Sequence, residues 1–226
     1  MAEPEGFIPY QLPDLEDTTL ISRAQNLFEQ LNGRRSVREF SDRPVPQNVI
    51  ADLIRIASTA PSGANKQPWT FSAVSDPKMK KKIREAAEQE EYRNYHGRMS
   101  QDWLDDLQPF GTSWQKPFLE IAPWLIVAFR RSYEKDADGN KLNNYYVQES
   151  VGLAVGFLLA AVHQVGLAAL THTPSPLNFL THVLERPANE RPFLLIPVGW
   201  PAAHAQVPDI SRKPLDQVAV WYTEKE

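Results

Sequence analysis

Cysteine is absent from the 226 residues, which removes a disulfide framework, thiolate metal ligation and a cysteine nucleophile together. Excess positive charge is missing as well. A formal charge of −4 and a pI near 5.8 exclude the broad basic face that holds nucleic acid through its phosphates. No apolar run reaches the roughly 20 residues that span a bilayer, since the longest extends only from Val151 to Val162. The opening Met1-Ala2-Glu3-Pro4-Glu5-Gly6 has neither the basic start nor the apolar core of a secretory signal, so a soluble, cytoplasmic protein is expected. The nucleotide fingerprints G-x-G-x-x-G and G-x-x-x-x-G-K-S/T do not occur, nor does the hydrolase elbow G-x-S-x-G. His96, His163, His172, His182 and His204 show no paired metal-ligand spacing; each is expected to be structural or solvated, and no metal site is expected.

What the chain does contain is a 42% hydrophobic fraction, enough for one substantial core, and a single domain over residues 1–226 is expected. Its most unusual stretch is Gly33-Arg34-Arg35-Ser36-Val37-Arg38-Glu39-Phe40, where three guanidinium groups and a hydroxyl fall within five residues. Such forks suit phosphate oxygens, and a small anionic partner is one reading. A solvated basic turn is the other.

Along the chain, Leu20, Ile21, Ala24, Leu27, Phe28 and Leu31 recur at helical spacing and stop at Asn32-Gly33. Pro46 opens a second amphipathic helix that runs into Ala60-Pro61-Ser62-Gly63-Ala64, a turn in which proline fixes the chain and glycine permits close approach. Trp69 to Ser75 is predicted as a strand, with Asp76-Pro77 capping a helix. Trp124 to Phe129 reads as a buried strand, followed by a turn at Asp138-Gly139-Asn140. Asn144 to Val165 is predicted as one long helix, apolar on nearly all sides and therefore buried centrally or against a partner subunit. Leu167 to Thr171 and Phe193 to Val198 are further strands, and Pro208 to Tyr222 is a candidate edge strand. Interleaved strands and helices point to an α/β or α+β sandwich.

Between Glu85 and Gln115 charged residues and aromatics alternate without one apolar stripe, as in a lid or a packed helical hairpin. Glu91 and Tyr95 are four residues apart and share a helical face. With Lys116 they match the needs of a zwitterionic amino acid: a carboxylate for its ammonium, a cation for its carboxylate, and a hydroxyl. A phosphate-binding stretch without a nucleotide fingerprint leaves a phosphate-bearing cofactor that carries its own chemistry.

Arg34-Arg35-Ser36-Val37-Arg38, Ala60-Pro61-Ser62-Gly63-Ala64-Asn65 and Gln67-Pro68-Trp69 resemble the opening of the FMN-dependent nitroreductase superfamily. Within it, the chain is similar to the iodotyrosine deiodinases from about Gly33 to Val220. The most specific parts are Glu91 and Tyr95 in E-x-x-x-Y, Lys116 in W-x-K-x-x-L-x-x-A-P, and Val207-Pro208-Asp209 with Arg212-Lys213-Pro214-Leu215-Asp216-Gln217.

The resemblance implies an α+β nitroreductase-like three-layer sandwich with a central mixed sheet flanked by helices. It further implies a domain-swapped homodimer with FMN at the subunit interface, a substrate lid over about 85–115 and a C-terminal exchange segment over about 205–226. Arg34, Arg35, Ser36, Val37, Arg38 and Arg212 would hold the phosphate and ribityl region of FMN, and Pro61, Ser62 and Gly63 would line its ring. The Thr173-Pro174-Ser175 segment would offer a hydroxyl near flavin N5. The family has consecutive hydroxyl residues there, whereas Pro174 intervenes in this chain, so both Thr173 and Ser175 are candidates. Glu91, Tyr95 and Lys116 would bind the substrate's amino-acid end, and the Ala64 N–H would face its phenolate.

The implied reaction is reductive dehalogenation of mono- and diiodotyrosine, and of bromo- and chlorotyrosine, by an unidentified reductant. Mammalian members carry a membrane anchor, and a soluble bacterial form is the expectation here. A general nitro- or quinone reductase and a non-catalytic flavin or halotyrosine sensor are the alternatives.

Overall fold

The computed structural model describes residues 6–224, and they divide at Arg34 into two compact units. The first carries helix α1 (Asp17–Asn32), which starts and stops where the apolar periodicity and Asn32-Gly33 place it. None of its residues is buried: Leu20, Ile21, Leu27 and Phe28 are each at least half exposed.

The second unit, from Arg35 onward, is built on four strands in the order β1 (Trp69–Val74), β2 (Trp124–Arg131), β6 (Glu190–Gly199) and β5 (Ala168–Ala169). Every neighbouring pair among these strands is antiparallel. The mixed character expected of the sheet comes down to one parallel bridge, Ser36 to Ala169, which lays the basic stretch along the β5 edge. A hairpin of β3 (Tyr133–Lys135) and β4 (Lys141–Asn143) stands apart from the sheet, its turn at the expected Asp138-Gly139-Asn140.

Both faces of the sheet are covered, which explains why β2 is apolar without alternation. Ile126, Ala128, Ile196, Val198 and Ala169 point to one face, where helices α2 (Gln47–Ala57) and α6 (Val147–Gln164) pack through Ile50, Leu53, Ala154 and Leu158. Leu125, Val127, Phe129, Leu195 and Leu170 point to the other, against α3 (Pro77–Arg93), α5 (Phe118–Ile121) and α7 (Phe179–Val183). Three layers result.

Asp76 caps α3 by accepting from the Met79 N–H at 2.7 Å, as the Asp-Pro pair predicts. Lys80 then pins α3 in place, its buried ammonium donating to the carbonyls of Glu120 and Ala122 at 2.8 Å each, at the C-terminal end of α5.

One expectation narrows and another changes. Within one chain helix α6 is buried on one side, where Val151, Ala154, Val155, Leu158, Ala161 and Val162 face the core, while Gly152, Leu153, Gly156 and Phe157 are exposed, so a central position in the domain does not account for its apolar outer face. The tail after Pro208 is not an edge strand. Its only regular element among the described residues is a single 3-10 turn, Leu215–Gln217, and Val218, Val220, Trp221 and Tyr222 are exposed. Apolar alternation gives a strand only where a neighbouring edge supplies hydrogen bonds.

Candidate functional site

Residues 94–116 depart from simple helical geometry. After Arg93 the helix widens into a π turn, Asn94–Arg98, closed by the Met99 N–H donating to the Asn94 carbonyl at 3.0 Å. Gly97, at φ 150, ends it, and Ser100 caps α4 (Gln101–Leu107) by accepting from the Trp103 N–H at 3.3 Å. Single π turns of this kind recur at functional sites, because the inserted residue re-aims the side chains around it.

The inner face of this turn carries Glu91, Asn94 and Tyr95, and each reaches a different partner. Glu91 forms an ion pair with Lys116 at 3.1 Å, with the two side chains only 7% and 4% exposed. Lys116 also donates to the Ser113 carbonyl at 2.5 Å and to Thr112 Oγ1 at 3.3 Å, and its own N–H donates to Glu88 Oε1 at 2.6 Å. Burial holds the Lys116 ammonium below the usual lysine range while the Glu91 carboxylate pulls it back up. Tyr95 is hydrogen-bonded to Thr112, and burial raises its phenol above the ordinary value. Asn94, 4% exposed, donates from Nδ2 to the Ser175 carbonyl at 2.9 Å.

Glu91, Tyr95 and Lys116 line one cavity together with Arg38, Thr171, His172 and Thr173, and with Met99, Trp103 and Leu107 from the segment after the π turn. Residues from three separated stretches of the sequence, at 38, 91–118 and 170–173, meet there. Arg38 is partly buried, which lowers its guanidinium pKa, and its side chain lies 5.9 Å from the Phe110 ring centre. His172 sits in strand register opposite Leu195, its ring edge-on to Phe118 at 5.5 Å. Burial, with the positive charges of Lys116 and Arg38, pushes the imidazole pKa down to about 3, so the ring is neutral at physiological pH. Its Nε2 is buried without a hydrogen-bond partner.

The remaining candidates are not among the residues that line this cavity. Arg34 is the last residue of the first unit. Arg35 donates from Nη2 to the Pro208 carbonyl, bringing the start of the C-terminal tail to the basic stretch, and the Val37 N–H donates to the Ala169 carbonyl at 3.2 Å. Arg212 lies further along that tail and is exposed, outside the cavity lining.

Pro61 is exposed, and Ser62 Oγ accepts from the Gln67 N–H at 2.9 Å. Ala64, Asn65 and Gln67 all have positive φ, at 49, 52 and 47. Left-handed backbone at three non-glycine positions is strain of the kind that concentrates at ligand sites. Gly63 has no room for a side chain: a Cβ there would lie 2.9 Å from Tyr146 Cδ2 and 3.0 Å from the Tyr145 carbonyl oxygen. Thr173 reaches the cavity, whereas Ser175 is engaged through its carbonyl, and Pro174 between them is buried.

Of the residues singled out from the sequence, Arg38, Glu91, Tyr95, Lys116 and Thr173 come together in one cavity, whereas Arg35, Ser36, Ser62 and Gly63 are not among its lining residues. Sequence reasoning passed over Asn94 and His172. Asn94 carries a usable signal, three residues after Glu91 and so on the same face. His172 was assigned to structure or solvent for want of a metal partner, although its place beside Thr173 brings it to the same cavity. Among the described residues no cluster of His, Asp and Glu is arranged to hold a metal ion.

The Nitroreductase family model matches residues 31–200. The chain belongs to the nitroreductase family. Within that family it is 59% identical to the iodotyrosine deiodinase of Haliscomenobacter hydrossis over 98% of this chain and 100% of that protein. Its identity to human iodotyrosine deiodinase 1 is 45%, over 94% of this chain and 74% of the human protein. The nitroreductase-like fold matches a crystal structure of oxidized iodotyrosine deiodinase bound to FMN and 3-iodo-L-tyrosine, with a TM-score of 0.74, 31% identity, and coverage of 88% of this chain and 100% of that one.

Proposed function

We propose that this protein is an FMN-dependent oxidoreductase that reductively dehalogenates halotyrosines, iodotyrosines above all, to tyrosine and halide. The observation that carries this reading is the buried Glu91–Lys116 pair, which shares one cavity with Tyr95, Arg38 and Thr173. A free amino acid presents an ammonium and a carboxylate together. Glu91 accepts from the first and Lys116 donates to the second, and Lys116 is held in place by its further hydrogen bonds to Thr112 and Ser113.

The residues present fit FMN. Arg35, Ser36 and Arg38 supply the cationic and hydroxyl donors that a phosphate and a ribityl chain need, with Val37 fixing their strand to the sheet edge. Ser62 and Gly63 supply a wall without a side chain at residue 63, and Arg212 in the tail adds a further cation. FMN, when bound, supplies the electrons that cleave the carbon–halogen bond. Of the two hydroxyl candidates for N5, we assign the contact to Thr173, because Thr173 lines the cavity and Ser175 does not, its carbonyl being bound to Asn94. The Ala64 N–H is the proposed donor to the substrate phenolate.

We assign a lid role to residues 85–115. The cavity beneath them measures about 150 Å³, less than the roughly 300 Å³ at the small end of ligand pockets, so admitting a halotyrosine requires the Met99, Trp103 and Leu107 cover to shift. The active form is a homodimer in this reading. Leu153 and Phe157 on α6 and Val218, Val220 and Trp221 in the tail are exposed apolar groups for a second copy to cover, and the tail is the segment exchanged. No helix among the described residues is long and apolar enough to cross a membrane. The physiological reductant is an external electron donor.

The test is direct. Purified protein takes up FMN and turns yellow, and after reduction with dithionite it releases tyrosine and iodide from diiodotyrosine. Brisk reduction of nitroaromatics with no tyrosine released would replace this reading by a general reductase, and halotyrosine binding without release would replace it by a sensor.

A further inference from the structure

The lid turn and the loop that follows β5 are far apart in sequence, yet one buried side chain joins them. Asn94 sits between Glu91 and Tyr95 on the inner face of the turn, 4% exposed, and its amide donates to the Ser175 carbonyl at 2.9 Å. Its own carbonyl closes the π turn by accepting from the Met99 N–H at 3.0 Å. The residue therefore fixes the shape of the lid turn through its backbone and grips the 173–175 loop through its side chain. Thr173, two residues before the gripped carbonyl, lines the same cavity as Glu91 and Tyr95.

Neither partner is readily replaced. The loop residues Thr173 and Ser175 are exposed, so besides the packing of the buried Pro174 the loop's register rests on backbone groups. Loss of the Asn94 amide leaves the Ser175 carbonyl on the loop side without this donor, at a contact where Asn94 itself is excluded from water. A π turn also places Asn94 and Tyr95 further round the helix than α geometry would, which lets one residue face the loop while the next faces Lys116.

We infer that Asn94 is a positioning residue: it holds the Thr173 loop in register with the substrate-binding turn, so that the group facing the flavin and the groups facing the amino acid respond as one unit. This rests on the reading of the cavity as the halotyrosine site. Ligand engaged by Glu91 and Tyr95 then biases the loop through Asn94, and binding at the amino-acid end is felt at the cofactor.

The test compares wild-type holoenzyme with Asn94→Ala and with Asn94→Asp, which keeps the shape but removes the donor; Arg93→Ala, on the exposed side of the same turn, is the control. Hydrogen exchange of the His172, Thr173 and Ser175 amides without any ligand reads the tether itself. Both Asn94 variants are expected to exchange roughly 5- to 30-fold faster there, the range set by losing one or two kcal/mol of local stability, with FMN content unchanged and Arg93→Ala like wild type. The second readout is the shift in flavin reduction potential on adding a non-reducible fluorotyrosine. Wild type and control show a shift, and the Asn94 variants lose most of it while still binding FMN. Unchanged exchange in both variants would overturn the tether. Faster exchange with an undiminished potential shift would overturn the coupling. If wild type failed to bind fluorotyrosine at all, the halotyrosine reading and the coupling built on it would fall together, and the exchange data would still decide the tether.

Discussion

Two faces of one helix end place the same chemistry in opposite surroundings. On the outer face, Glu90, its side chain 16% exposed, holds Arg93 at 2.6 Å and Arg98 at 2.7 Å, whose side chains reach out to 55% and 48% exposure. One residue along, Glu91 holds Lys116 with both side chains almost fully buried. Exposed pairs of the first kind contribute about 0.2–1 kcal/mol each. A buried pair gains little net stability, because desolvation offsets the attraction, yet removing one member leaves an uncompensated charge at about 3–5 kcal/mol. Stability alone does not account for the inner pair. In the proposed reading, a ligand carrying both charges does.

The largest expected effect breaks the inner pair. Lys116→Met is predicted to destabilise the protein by about 3–5 kcal/mol, and Glu91→Gln to weaken halotyrosine binding by roughly 100-fold with FMN binding nearly unchanged. The double variant Glu91→Gln/Lys116→Met should regain much of the stability lost in Lys116→Met, read by denaturant unfolding, while halotyrosine binding stays abolished. A double variant no more stable than the single would show that the pair contributes structure, and the contrast with the outer face would lose its meaning.

An intermediate effect sharpens the contrast through pH. His172 stays neutral when folded, with a pKa of about 3, but titrates near 6.5 when unfolded. Between these values the unfolded chain binds a proton that the folded chain refuses, so stability falls as pH drops from about 6.5 toward 3. At pH 5 the loss from this residue is about 2 kcal/mol. His172→Gln should flatten the unfolding profile by that amount over the same window. Parallel profiles for the two proteins would mean that the imidazole is not shielded from solvent beside Lys116 and Arg38.

The smallest effect belongs to the outer face. Glu90→Gln is expected to change stability by less than about 1 kcal/mol and to leave halotyrosine titrations of the oxidised holoenzyme within two-fold of wild type. A loss as large as that of Glu91→Gln would erase the distinction between the faces.

How much of this was legible beforehand varies with the physics involved. The boundaries of α1, α2 and α3 follow local rules, since apolar periodicity, Pro46, the Asp76-Pro77 cap and Asn32-Gly33 act within a few residues. Strand β2 was legible from its apolar run. The tail was not, because Val218, Val220 and Tyr222 alternate as a strand does but find no edge to pair with among the described residues of the chain. Helix α6 reads as buried on all sides, yet the face of Leu153 and Phe157 is exposed within one chain. An apolar face says that it seeks a cover without saying which surface supplies it.

At the end of α3, the sequence alone determined that Glu91 and Tyr95 share a face, since four-residue spacing on a helix leaves little choice. It also determined that arginines and a serine stand together at 34–38, since they are neighbours in the chain. That Glu91 is buried against Lys116, that His172 is neutral at the same cavity, and that Asn94 reaches Ser175 were decided only by the tertiary structure. Burial, local dielectric and long-range hydrogen bonds depend on which segments the fold packs together, and no window of residues contains that information.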